Sequence, residues 1–201
     1  MKITVFVSGR GSNLNALLQN SDLKNLITIV AVVSDKINCK AFDIAKEYGI
    51  ETYSIGDGEG RISNNKITSV LQNLDVDLIV LAGYLKLIPD ELINNFENRI
   101  INIHPALLPS FGGKGMYGMN VHKAVFESSV KVSGASVHFV DKTYDTGKII
   151  AQKCIDISDV KSAEEIAERI LAIEHQILPE VVKAFAEQRV KIESNRVVIL
   201  K

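Results

Sequence analysis

The sequence has no tryptophan, four prolines and only two cysteines, Cys39 and Cys154. The cysteines lie far apart and neither belongs to a Cys-x-x-Cys pair, which argues against a disulfide framework or a zinc site. We expect both to be buried apolar side chains. No apolar run approaches the length of a membrane span, and the N-terminal run ends at Gly9, too early for a secretory signal peptide. These absences favour a cytoplasmic enzyme or binding protein.

An excess of charge of one sign is also missing. Lys and Arg number 23 against 24 Asp and Glu, so no basic field is present to hold a nucleic-acid backbone. The 201 residues are 46% hydrophobic and 23% charged, an ordinary globular composition. We expect one domain over 1–201, with a nucleotide- or phosphate-binding half at 1–100 and a catalytic half at 101–201.

Short apolar runs alternate with helical patterns in the first half, which is the signature of βαβ units. The pattern predicts strands over 2–7, 27–33, 49–53 and 77–82. Ser12 or Asn13 is predicted to cap the first helix. Three further helices are predicted over 39–48, 62–74 and 89–96. We therefore predict an α/β fold, a Rossmann-like doubly wound and mostly parallel sheet with helices on both faces.

The second half predicts a helix over 121–128 and an antiparallel hairpin of strands 133–140 and 148–157, joined by the polar loop 141–147. Ser162-Ala163-Glu164-Glu165 is a capping box that opens a long helix, and Pro179 should kink or divide that helix. Ser194-Asn195 predicts a turn between two short terminal strands.

A glycine-rich loop, Ser8-Gly9-Arg10-Gly11-Ser12-Asn13, follows the first strand and opens a helix. Backbone N–H groups and the helix dipole favour an anion at such a place. The loop lacks the Gly-Lys-Ser/Thr of a P-loop and the third glycine of a dinucleotide fingerprint, so it predicts a phosphate monoester rather than ATP or NAD. An ordinary βα turn explains the motif equally well.

Asn102 and His104 stand two residues apart in Ile101-Asn102-Ile103-His104-Pro105-Ala106-Leu107-Leu108-Pro109. On a strand such residues point the same way, which suits an amide and an imidazole that stabilise an oxyanion. Asp145, in the hairpin loop, is the carboxylate that would support His104, although its pattern alone favours a turn former.

Two further polar residues remain open on pattern alone. His138 alternates with apolar residues on its strand, which favours a supporting role. Glu174 lies beside the isoleucine face of the long helix, and a solvated charge is the default interpretation for it, with projection into a cleft as the alternative.

Five motifs together resemble the formyltetrahydrofolate-dependent formyltransferase family over nearly the whole chain. They are Ser8–Asn13, Ala82-Gly83-Tyr84, Asn102–Pro109, Ser136-Val137-His138-Phe139-Val140 and Asp145-Thr146-Gly147. The Asn-x-His-Pro segment is shared among formyltetrahydrofolate enzymes, whereas the N-terminal loop selects the branch whose acceptor is 5-phosphoribosylglycinamide, in purine synthesis.

The resemblance implies roles for particular residues. Asn102, His104 and Asp145 would be catalytic, with His104 as a protonated donor whose pKa Asp145 raises. The acceptor's phosphate would be bound by Gly11, Ser12 and Asn13, its glycinamide or ribose end by Glu174, and Ser136 and His138 would support the site. The folate residues would be Arg61, Tyr84, Leu85, Lys86, Leu87, Val140 and Asp141.

The resemblance also implies 10-formyltetrahydrofolate as co-substrate, no metal, and a monomer or homodimer. Gly112 departs from the proline of many relatives, Lys86 from their arginine, and Leu171 from a polar contact. Two alternatives stay open: a formyltetrahydrofolate hydrolase, and a non-catalytic phosphate- or nucleotide-binding module in which His104 is structural. Acceptor-dependent turnover separates them from the transferase.

Overall fold

The computed structural model describes residues 1–201, which divide into two compact units, Met1–Asn102 and Ile103–Lys201. The predicted halves meet at residue 100. That the two units act together as one domain stays a prediction.

The first unit alternates strands and helices. Its elements are β1 (Lys2–Val7), α1 (Ser12–Gln19), β2 (Thr28–Ser34), α2 (Ala41–Glu47), β3 (Glu51–Ser54), α3 (Asn64–Asn73), β4 (Leu78–Leu81), α4 (Asp90–Asn95) and β5 (Ile100–His104), whose last two residues belong to the second unit. The strands are parallel in the order β3-β2-β1-β4-β5. The predicted doubly wound sheet is thereby confirmed.

The central strands of this sheet are almost entirely buried. β4 buries all four of its residues and β1 leaves only Lys2 exposed. Continuous apolar runs of this kind are what a parallel sheet needs when helices cover both of its faces. Right-handed crossovers place α1 and α2 on one face and α3 and α4 on the other, and each of these pairs is in contact.

β1 and β4 are neighbours at the centre of the sheet. The chain adds β2 and β3 on one side of β1 and then β4 and β5 on the other, so the order in which strands are added reverses between β1 and β4. Ser8 follows β1 and Gly83 follows β4, and the Ser8 N–H donates to the Gly83 carbonyl at 3.1 Å. Open α/β sheets bind ligands beyond the strand ends at such a switch point. The fold therefore brings the glycine-rich loop and the segment after Ala82 to the position where ligands bind.

The second unit continues with α5 (Met119–Glu127), β6 (Val132–Phe139), β7 (Ile149–Asp156), α6 (Ala163–Ala186), β8 (Val190–Glu193) and β9 (Arg196–Ile199). β6 and β7 are antiparallel, which confirms the predicted hairpin. β8 and β9 form a second hairpin around Ser194 and Asn195, also as predicted. Helix α6 packs against α5, β6 and β7.

Three local predictions differ from the structure. The cap of α1 is Gly11, in the left-handed region at φ 80°, and no side chain caps the helix. Pro179 does not divide α6, because the buried side chains on either side of it, including Ile177 and Val181, hold one continuous helix against the unit's core, and the alternative of a kink stays a prediction. Cys39 is buried as predicted, but Cys154 is exposed, so that part of the prediction was wrong.

The capping box of α6 forms in part. Ser162 Oγ accepts a hydrogen bond from the Glu165 N–H at 3.2 Å, as predicted. The Glu165 carboxylate instead accepts from the Lys161 N–H at 3.0 Å, one residue before the expected partner. None of the helices combines the length and apolar composition that a membrane crossing requires.

Candidate active site

Strand β5 carries the central pair of the predicted site. Its isoleucines, Ile100, Ile101 and Ile103, are buried and anchor the strand. His104 ends the strand with 3% of its surface exposed, and Asn102, half-buried, is paired in register with Leu81 of β4. A hydrophobic strand thus delivers both polar residues to its carboxyl end.

The two ring nitrogens of His104 face different groups. Nε2 lies 2.9 Å from the carbonyl oxygen of Phe111. A carbonyl oxygen only accepts, so Nε2 carries the hydrogen in this arrangement. Nδ1 lies 3.7 Å from Oδ2 of Asp145, within ion-pair range but longer than a hydrogen bond.

Asp145 lies in the loop of the β6–β7 hairpin, where its backbone adopts a left-handed conformation at φ 58°. Asp145 forms a turn, as its pattern predicted, but the expected exposure was wrong, because only 11% of its side chain is exposed. Oδ2 accepts the Gly113 N–H at 2.8 Å, and Oδ1 lies 3.6 Å from Nε2 of His138. The structure therefore brings His104, His138 and Asp145 together.

His138 is buried on β6, in agreement with a supporting position. Its Nδ1 lies 2.7 Å from the Phe139 carbonyl oxygen and must donate to it, which leaves Nε2 facing Asp145. The two imidazoles thus present one nitrogen each to a single carboxylate.

Burial dominates the titration of His104. It lowers the pKa of the imidazole below the ordinary value of 6.5, because the charged form loses hydration, while the Asp145 charge offsets only part of this effect. Asp145 raises the pKa of His104, as expected, but by less than burial lowers it, so the expectation of a protonated His104 was wrong. In the protein without substrates, His104 is therefore neutral at pH 7.

Neighbouring groups, and not burial, decide the pKa of Asp145. Burial raises the pKa of its carboxyl, but the contact with the His138 imidazole, the charge that His104 carries when it is protonated and the Gly113 N–H outweigh that effect and lower the pKa below the ordinary value. At neutral pH Asp145 is therefore a carboxylate, and it faces the imidazole of His104, which is neutral in the protein without substrates.

Ser136, predicted to support the site, organises the turn that follows His104. Its hydroxyl donates to the Ala106 carbonyl at 2.6 Å and accepts from the Leu108 N–H at 3.0 Å. Gln152 on β7 donates to the Ser136 hydroxyl and to the Leu108 carbonyl, both at 2.9 Å. These buried bonds fix the backbone that leads out of β5.

The glycine-rich loop of the first unit is shaped by close packing. A Cβ on Gly11 would lie 2.7 Å from the Cβ of Ala41, and the residue has a positive φ, so only glycine fits there. Cys39 Sγ donates to the Gly9 carbonyl at 3.3 Å. Ser12 is exposed at the start of α1 and Asn13 is buried behind it.

Ser8 links this loop to the predicted folate segment. Its buried hydroxyl donates to Asp35 at 2.6 Å and accepts from the Leu85 N–H at 3.0 Å. Tyr84 packs edge-on against Phe6, with 5.4 Å between the ring centroids. Leu85, Lys86 and Leu87 are exposed, so this segment presents two apolar side chains and a cation at the surface.

Arg61 makes its hydrogen bonds to backbone carbonyls of the first unit. Its guanidinium donates to the carbonyls of Asp35 at 2.6 Å and Ile55 at 3.2 Å. These bonds tie the loop after β2 to the end of β3. A role for Arg61 toward folate stays a prediction.

Val140 and Asp141, the predicted folate residues of the second unit, open the hairpin loop and are both half-buried. The Asp141 carboxylate accepts from Thr143 N–H at 3.0 Å and from the Thr146 hydroxyl at 2.8 Å. Asp141 therefore staples the loop that carries Asp145.

Glu174 is 8% exposed on α6, among residues that pack on the core. The solvated charge expected by default was wrong, because the helix face next to the isoleucines is also covered. Leu171, one turn earlier, is 38% exposed.

Four residues of the site were not predicted: Phe111, Gly113, Gln152 and His122. The first two act through main-chain atoms, which a residue pattern does not reveal. His122 is buried on α5, its Nδ1 has no hydrogen-bond partner, and burial together with the charge of His104 lowers its pKa. Its apolar helical spacing with Val121 and Val125 was the only signal of burial.

An open cavity of about 330 Å³ adjoins Asp145 within the second unit. It is lined by Leu108, Pro109, Gly112, Gly113, Tyr144, Asp145, Thr146, Gly147 and Ile149. Its wall is mostly apolar, and one carboxylate provides its charge. A cleft of this kind suits a small molecule that presents a polar group to the acid–base residues.

Fold and site together define an α/β protein in which an imidazole at the end of a strand and a carboxylate from a hairpin loop lie together beside an open cavity. Comparison with known proteins narrows this class. The formyl transferase family model matches residues 1–182.

Individual relatives agree with that match. A phosphoribosylglycinamide formyltransferase of Arabidopsis thaliana, described as chloroplastic, is 42% identical over 99% of this chain and 70% of its own length. The enzyme of that name from Bacillus subtilis is 38% identical over 90% of this chain and 93% of its own. The chain belongs to the formyl transferase family.

Solved structures show the same fold. The phosphoribosylglycinamide formyltransferase of Anaplasma phagocytophilum superimposes with a TM-score of 0.89 at 34% identity, covering 100% of this chain and 95% of that one. A formyltetrahydrofolate deformylase from Pseudomonas syringae gives 0.85 at 25% identity, covering 100% of this chain and 66% of that one.

Proposed function

We propose that this protein transfers the formyl group of 10-formyltetrahydrofolate to the amine of 5-phosphoribosylglycinamide, a step of purine synthesis. The observation that carries the proposal is the buried His104 beside the Asp145 carboxylate, at 3.7 Å, in a chain of the formyl transferase family. Relatives of that name at 38% and 42% identity supply the acceptor.

The chemistry is a direct attack. The acceptor's amine forms a bond to the formyl carbon, the carbonyl oxygen becomes an oxyanion, and the bond from that carbon to N10 then breaks. The amide of Asn102 is the proposed donor to the oxyanion. The amine loses a proton and N10 gains one, so the overall reaction conserves protons.

His104 is the proposed carrier of that proton. Because burial keeps the imidazole neutral in the free protein, it can accept the amine's proton, through a water that Asp145 orders, and return a proton to N10. Asp145 stabilises the imidazolium while it exists. The assignment keeps Asn102, His104 and Asp145 as the catalytic residues, but makes the resting His104 neutral where a protonated His104 was expected.

Substrate contacts follow the family resemblance. We assign the acceptor's phosphate to Gly11, Ser12 and Asn13, and its glycinamide or ribose end to Glu174. The folate is assigned to Arg61, to the Tyr84–Leu87 segment, and to Val140 and Asp141. Support comes from the switch-point position of the first-unit loop and from the exposed leucines beside it.

A hydrolase is the second candidate, favoured by the 0.85 TM-score of the Pseudomonas syringae deformylase. The deciding experiment incubates purified protein with 10-formyltetrahydrofolate, with and without 5-phosphoribosylglycinamide, and measures both tetrahydrofolate and formate. A transferase converts 10-formyltetrahydrofolate to tetrahydrofolate only when the acceptor is present, and it releases no formate. Formate release without any acceptor would assign the hydrolase instead, and His104→Ala serves as the inactive control for both.

The protein's surroundings are proposed on the same footing. We expect a cytoplasmic protein, a monomer or homodimer, with small molecules and no nucleic acid as partners; the Arabidopsis thaliana relative is chloroplastic. Cell fractionation tests the compartment, and sedimentation at two protein concentrations tests the oligomeric state.

A further inference from the structure

Two main-chain atoms of one short turn hold the two acid–base groups of the second unit. The Phe111 carbonyl accepts from Nε2 of His104 at 2.9 Å, and the Gly113 N–H donates to Oδ2 of Asp145 at 2.8 Å. We infer that the turn Phe111–Gly113 is the positioning element of this pair and that His104 exchanges its reaction proton at Nδ1. The part of the inference that concerns the reaction rests on the proposed formyl transfer.

The carbonyl selects one form of the ring. In the neutral imidazole one nitrogen carries a hydrogen and the other a lone pair. The opposite tautomer would direct the Nε2 lone pair at the Phe111 oxygen, which repels it, and leave this half-buried carbonyl without its partner, which is unfavourable. Nε2–H is therefore the resting form, and the lone pair sits on Nδ1, the nitrogen that faces Asp145.

The amide of Gly113 prepares the carboxylate for that role. A hydrogen bond to a charged oxygen favours the ionised form. Asp145 Oδ2 receives this bond and is also the oxygen 3.7 Å from Nδ1, so a proton placed on Nδ1 meets a fixed negative charge. One turn thus sets both the nitrogen that binds the proton and the charge that stabilises it.

The shape of the turn depends on its residues. Phe111 adopts φ 55° and Gly113 φ 95°. Gly112 is closely packed: a Cβ on it would lie 2.5 Å from Leu108 Cδ2, so that side chain would have to move, and 3.2 Å from Asp145 Cβ. In this chain a Cβ at 112 would crowd both Leu108 and Asp145, which makes Gly112 a position at which the inference can be tested.

Other charged and titratable groups face His104 and do not replace the turn. They are Asp145 from the hairpin loop, His138 from β6 and His122 from α5. The Phe111 carbonyl is the hydrogen-bond acceptor at Nε2. A measurement of which His104 nitrogen carries the hydrogen therefore reports on the contact with the turn, and not on the net charge of these groups.

The test is nitrogen-15 NMR of histidine-labelled full-length protein, with His104 assigned through His104→Gln. Above its titration, His104 should show a protonated Nε2 and an unprotonated Nδ1. A predominantly Nδ1-protonated ring, or an equal mixture, would overturn the inference. This measurement needs no turnover, so it stands even if no amine is formylated and the proposed function fails.

Gly112→Ala provides the second arm. We expect a mixed tautomer and about a 100-fold lower kcat, from displacement of the turn, with KM changed by less than about threefold. Lys114→Ala, on an exposed residue of the same loop, should leave the tautomer and kcat unchanged. A folded Gly112→Ala protein with wild-type tautomer and kcat would overturn the inference. If that variant does not fold, Gly113→Ala strains the same turn at its φ of 95° and must give the mixed tautomer.

Discussion

Oδ2 of Asp145 lies 3.7 Å from Nδ1 of His104, beyond hydrogen-bond length and inside the range of a strong charge interaction. The carboxylate is held in place by Gly113, and the imidazole by Phe111. Asp145 can therefore stabilise a proton on His104 without binding the neutral ring. This relationship connects the fold of the second unit to the proposed proton transfer.

Asp145→Asn should lower kcat by about 100-fold or more, because the imidazolium loses the charge that stabilises it. The same substitution should lower the pKa of His104 further, since Asp145 is the main group that raises it. Steady-state kinetics and an NMR titration of His104 measure the two effects. Glu180→Gln, which removes an exposed carboxylate of the same unit, should change neither. A higher pKa of His104 in Asp145→Asn would contradict the electrostatic assignment.

The pH dependence of kcat/KM distinguishes a neutral from a protonated resting His104. Its pKa lies below 6.5, so a neutral base predicts a rate that rises with pH through that pKa and then levels off. Deprotonation of the attacking amine acts in the same direction. In Asp145→Asn, the limb that belongs to His104 should move to lower pH. A wild-type kcat/KM that decreases as the pH rises from 5 to about 6.5 would show that the charged imidazole is the active form.

Ser136→Ala should weaken both stability and catalysis. Removal of the hydroxyl leaves the buried Leu108 N–H without its acceptor, which costs about 1–3 kcal/mol of unfolding free energy. The turn after His104 then keeps only the direct Gln152 bond to the Leu108 carbonyl and loses the bonds made through the Ser136 hydroxyl, so kcat should fall. Denaturant unfolding and kinetics measure the two losses. Ser133→Ala, a buried serine on the same strand, is the matched control. Equal effects of the two substitutions would mean that the Ser136 network has no special role.

Acid should destabilise the protein through its buried histidines. Burial lowers the pKa values of His104 and His122 below 6.5, so the unfolded chain binds protons that the folded protein does not. This stability is complete above pH 6.5 and is lost as the pH falls through the folded pKa. His122→Asn should reduce the slope of unfolding free energy against pH by up to about 1.4 kcal/mol per pH unit. An unchanged slope below pH 6 would mean that His122 is protonated in the folded state.

The architecture could be predicted from the sequence because strands, helices and their caps leave short local patterns of residues. Apolar strands such as Leu78–Leu81 and the capping residue Ser162 are visible as short patterns, and the structure has both. Pro179 shows the limit of local rules, since packing of α6 on its neighbours holds the helix continuous. Glu174 shows the same limit for burial, which depends on what covers a helix face.

The chemistry of the site was predictable in its residues and not in their charge states. The motifs singled out His104 and Asp145, but the pKa of His104 reflects a balance between burial and the carboxylate that only coordinates reveal. The contacts from Phe111 and Gly113 are made by the backbone, which has no residue signature. Sequence reasoning therefore predicted residues that the structure brings together, and the coordinates show how those residues are held.

The most direct test of the account is the formyl balance of the purified protein. With 10-formyltetrahydrofolate and 5-phosphoribosylglycinamide together, we predict one formylated product for each tetrahydrofolate released, no formate, and loss of turnover in His104→Ala. Consumption of 10-formyltetrahydrofolate at the same rate without the acceptor, or full activity in His104→Ala, would contradict it.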